Sequence, residues 1–97
     1  MDSIVRTLVL TTANTEYSIT LGAGLSQVTM QCRTAFAVRF ATTSGKVAGS
    51  TEPYGTLKSG QALTLSDANP NATGQETWYF ASAEAGVVME FVETFNG

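Results

Sequence analysis

The sequence predicts an all-β fold, an antiparallel β-sandwich or barrel of about eight short strands, and three observations predict it. Apolar and polar residues alternate with a period of two: Val28, Met30 and Cys32 share one face of a segment, and Phe36, Val38 and Phe40 share one face of the next. Turn-forming residues divide such segments at short intervals. No stretch of useful length carries the 3.6-residue period of an amphipathic helix. At 97 residues the chain is expected to form one domain, residues 1–97, burying roughly 60 to 68% of its unfolded surface in a single modest core.

Taken in order, the first predicted strand covers residues 4–12, IVRTLVLTT, which alternates less cleanly than the middle of the chain. Residues 16–21 place Tyr17, Ile19 and Leu21 on one side, and Gly22 and Gly24 of LGAGLS then allow a turn. That stretch lacks the lysine and helix of a phosphate loop. Residues 27–33 and 36–42 are the pair described above. A long loop follows over 43–53, with Thr42 leading into it, and its small and polar residues place it on the surface. Residues 54–58 contribute Leu57, and after the Gly60 turn residues 61–66 contribute Leu63 and Leu65. A second polar loop, DANPNATGQE, occupies 67–76. Residues 77–82 place Trp78 and Phe80 together with Tyr79 opposite. After Gly86, residues 87–94 place Val87, Met89 and Phe91 inside. Truncating one large core member, such as Phe36→Ala, is expected to cost roughly 3–5 kcal/mol.

Composition excludes several function classes. A net charge of −3 offers no basic field for phosphates, so no nucleic-acid partner is expected. No apolar run approaches the 18 or so residues of a bilayer crossing, so no membrane partner is expected either. The start, MDSIVRTLVLTTANTE, lacks the basic and long apolar regions of a signal peptide, which predicts synthesis and folding in the cytoplasm. Cys32 is the single cysteine, read as a small buried hydrophobe. With no histidine, the commonest general base and metal ligand is absent. Glu52, Asp67, Glu76 and Glu84 are read in loops, while Glu90 and Glu93 point to opposite faces of one strand, so no two carboxylates are paired for catalysis. Asp67, Asn69 and Asn71 imitate a calcium loop, but Ala72 and Trp78 stand where glycine and a bidentate glutamate belong. Neither a catalytic site nor a cofactor nor a metal is expected. Asn71–Thr73 spells a glycosylation acceptor, which has no meaning without secretion.

Two surfaces attract attention. In the last strand Val88 and Val92 lie opposite the core residues, with Glu90 between them, and Phe95 extends the same apolar argument. Another subunit or a partner is the economical cover for this second face; the alternative is that the two valines sit at the rim of a larger sheet. Tyr54 and Tyr79 form the second candidate, a platform for stacking on a glycan, whereas Trp78 shares the face of Phe80 and is read as core.

The order of segments, YSITLGAG, VTMQCR, FAVRFATTSGKV, PYGTLKSGQAL and TWYFASAEAGVVMEFVE, resembles a group of small all-β structural proteins of tailed bacteriophages from about Tyr17 to Glu93. The resemblance implies a virion component: a capsid decoration, or cement, protein that binds the major capsid protein on the outer shell as a homo-oligomer. A head-fibre or tail-adaptor protein and a carbohydrate-binding module are the alternatives. It carries over no catalytic residue.

Overall fold

The computed structural model describes residues 2–21, 25–69 and 76–95. Eight strands form in the predicted order: β1 (Asp2–Leu10), β2 (Tyr17–Leu21), β3 (Leu25–Cys32), β4 (Val38–Ala41), β5 (Gly55–Leu57), β6 (Ala62–Asn69), β7 (Glu76–Ala81) and β8 (Val87–Phe95). They build two four-stranded sheets, a first of order β1-β8-β3-β6 and a second of order β2-β7-β4-β5, and every pairing is antiparallel. With two separate sheets the molecule is a sandwich and not a closed barrel. All connections switch sheets except β4 to β5. This strand order, with the last strand beside the first in one sheet and the seventh beside the second in the other, is that of an eight-stranded jelly roll.

Alternation does the sorting. Leu10, Leu21, Val28, Met30, Val38, Phe80, Val87, Met89 and Phe91 are fully enclosed, and Ile19 and Leu57 are nearly so. Phe80 of β7 meets Phe91 of β8 edge-on, with centroids 5.4 Å apart and planes at 65°, so one aromatic pair bridges the two sheets. Tyr17, Cys32, Phe40, Leu63, Leu65 and Trp78 pack against this core while remaining half-buried.

Three expectations need correction. Phe36 is 42% exposed, because β4 begins only at Val38 and residue 36 belongs to the turn before it. The segment ending at 66 continues to Asn69, since β3 begins at Leu25 and pairs Leu25 with Asn69 across a register shift. Asp67 and Glu76 therefore belong to strands, not to a loop. The remainder of that loop, including the Asn71–Thr73 acceptor, and the LGAG turn at Gly22 and Gly24 lie outside the described residues. The 43–53 loop is also more than surface, since its Val47 is completely buried.

Candidate functional site

The outer face of the first sheet carries four valines in two cross-strand pairs. Register sets Val5 of β1 opposite Val92 of β8, and Val9 opposite Val88, with Thr7 and Glu90 between the pairs. Val5 is 69% exposed, Val9 48% and Val92 43%; Val88 is half-buried. Directly opposed β-branched residues stabilise a sheet locally, but here their outer surfaces meet solvent. β1 is an edge strand nine residues long, so its free ladder groups border the same patch. The neighbouring surface is polar: the Thr29 and Thr64 hydroxyls lie 3.1 Å apart, and Glu90 accepts from Gln31 Nε2 at 3.0 Å and Arg33 Nε at 2.9 Å. The hydrogen bonds from Gln31 and Arg33 hold the Glu90 carboxyl below its ordinary range.

Phe95 does not belong to this face. It lies an odd number of residues from Val92, so it turns inward and packs against the core with Phe91. Glu93 turns inward for the same reason and is fully buried. Its carboxylate accepts from Arg6 Nε at 2.6 Å and Arg6 Nη2 at 2.7 Å, and Nη2 also donates to the Thr20 carbonyl at 2.7 Å. Arg6 thus ties β1 and β8 of one sheet to β2 of the other. The Glu93 hydrogen bond outweighs burial and raises the guanidinium pKa further. A signal for this pair existed in the sequence, because Arg6 shares the phase of Leu8 and Leu10, and Glu93 that of Met89 and Phe91. Two opposite charges at inward positions imply each other.

The outer face of the second sheet is covered. Residues 42–54 fold back across it, and Val47 sits against Ala41 and Ala81 with Tyr54 and Tyr79 packed alongside. Polar contacts pin this loop. Glu16 accepts from Ser44 Oγ at 2.9 Å and the Gly45 N–H at 2.8 Å, and Gly45 adopts a φ of 88°. Arg39 donates through Nε to the Val47 carbonyl at 2.6 Å and through Nη2 to Asn14 Oδ1 at 2.8 Å. Tyr79 therefore belongs to a packed cluster and presents no free platform with Tyr54.

At the edge of this covered face opens a cleft of about 310 Å³ lined by Phe40, Trp78, Tyr54, Pro53, Thr42 and Thr43. The rings of Phe40 and Trp78 lie 6.1 Å apart at 31°. Gly55 makes their placement possible: a Cβ there would fall 2.4 Å from Phe40 Cζ, so any side chain would force the ring aside. The Trp78 indole N–H is buried without a hydrogen-bond partner among the described residues, which costs about 1–3 kcal/mol of desolvation. Sequence reasoning assigned Trp78 wholly to the core; it packs against the core and lines the cleft as well.

No protein-family model and no curated protein matches the chain. Among solved structures, the solution NMR structure of a de novo designed double-stranded β-helix is similar, with a TM-score of 0.54 and 11% identity over 96% of this chain and 97% of that one. At that identity the likeness speaks for the fold alone.

Proposed function

We propose that this chain is a non-enzymatic virion structural protein, a capsid decoration protein that binds the outer capsid surface and stabilises it. In this reading it is made in the host cytoplasm and acts in the virion, against the major capsid protein or as a homo-oligomer seated on it. The observation that carries the reading is the bare apolar face made by Val5, Val9, Val88 and Val92 on the terminal strands β1 and β8. Exposed apolar pairs beside a long edge strand, even with Thr7 and Glu90 between them, suit a protein-binding surface. The phage-protein resemblance supplies the identity of the partner, and the jelly roll, which hosts viral capsid domains among many others, is compatible with it without selecting it.

Sedimentation of the purified protein, together with its detection in purified particles, tests the reading. The expected result is a particle-associated protein that Val5→Asp or Val92→Asp releases while the free variant stays folded. A monomer absent from particles would overturn it.

A further inference from the structure

We propose that the cleft between the start of the 42–54 loop and β7 binds a single neutral sugar ring. This is independent of the capsid reading, since the cleft belongs to the second sheet and the valine face to the first.

The walls are aromatic and come from three places in the chain: Phe40 on β4, Trp78 on β7, and Tyr54 immediately before β5. Rings so placed offer the flat apolar surfaces on which the C–H face of a pyranose packs. Thr42 and Thr43 are exposed and add hydroxyls that both donate and accept, matching a sugar's hydroxyl groups. Among the described residues no charged side chain lines the cleft, which disfavours uronic acids, sialic acids and phosphates and favours a neutral unit. Its volume is at the lower end for small-molecule sites, which fits one ring and not an extended chain.

Two further features point to a built site. Gly55 leaves the space that Phe40 needs to stand beside Trp78. The indole N–H, which has no partner among the described residues, gives Trp78 a donor that a sugar oxygen in the cleft can take up.

Trp78 is the chain's single tryptophan, so intrinsic fluorescence reads this site directly. The full chain is titrated with a panel of neutral hexoses and their oligomers, with sialic acid and a hydrophobic tripeptide as comparisons. A saturable spectral change with at least one neutral sugar is expected. It should weaken about tenfold in Tyr54→Ala and remain unchanged in Val5→Asp. Should Tyr54→Ala fail to fold, Thr42→Val, at an exposed position, is expected to weaken binding at least threefold. The proposal is overturned if no neutral sugar saturates the signal, if the response survives both cleft variants, or if the tripeptide or sialic acid binds more tightly than every neutral sugar.

Discussion

The two outer faces of the sandwich contrast. On the second sheet, the chain covers its own apolar residues: the 42–54 loop lies over Ala41, Ala81 and Tyr79, with Val47 buried at its centre and Glu16 and Arg39 holding it down. On the first sheet, an apolar strip of comparable character, the two valine pairs of β1 and β8, is left in solvent. The difference teaches where to look for an external partner. Among the described residues a pinned cover lies over one face and none over the other, so the second is the face on which the proposed partner is to be sought.

The largest expected effect breaks the frame in which the faces are compared. Arg6→Ala leaves the buried Glu93 carboxylate unpaired and frees the Thr20 carbonyl, and should cost about 3 kcal/mol. That is the lower end for such a loss, because Arg6 is itself 37% exposed and part of the attraction is screened. Urea denaturation measures it. Next comes the covered face: Val47→Ala removes two buried methyl groups and should cost about 2 kcal/mol, with faster amide exchange confined to the loop. Phe36→Ala, for which the alternation predicts the roughly 3–5 kcal/mol of a core truncation, should cost less than about 1 kcal/mol in the same assay. On the bare face, Val5→Thr should alter stability by no more than about 0.5 kcal/mol while, under the proposed function, weakening attachment to particles.

The smallest effect is electrostatic. The folded-state pKa of Glu90 is depressed, so its stabilisation is present above the unfolded value of about 4.3 and is lost as pH falls through the folded one. Acid titration of Glu90→Gln should therefore show a slightly flatter decline below about pH 5 than the parent chain. Added salt should shrink the difference, since the Arg33 contact is exposed.

Much of this contrast was legible before any coordinates. Period-two alternation located all eight strands and the outward phase of Val88 and Val92, because side-chain direction in a strand depends only on parity. Parity also assigns Phe95 inward; extending the apolar argument to it ignored the count. The contribution of β1 to the valine strip was harder to see, because Val5 and Val9 gain meaning only through their register with β8, some 80 residues away. Val47 was hidden for a different reason. A lone valine among Gly, Ser and Ala carries no periodic signal, and only the loop's return over the sheet buries it. The cleft depends likewise on Gly55 facing Phe40, a pairing that sequence alone does not specify.

The strand order also sets a timetable. β8 lies between β1 and β3, so β1 has no ladder neighbour until residues 87–95 arrive. The first sheet is consequently completed only after translation of β8, by closing the long connection between Leu10 and Val87, and this places folding among the slow, millisecond-to-second topologies. Until that closure the valine strip is only half built, so premature association through it is withheld from the nascent chain.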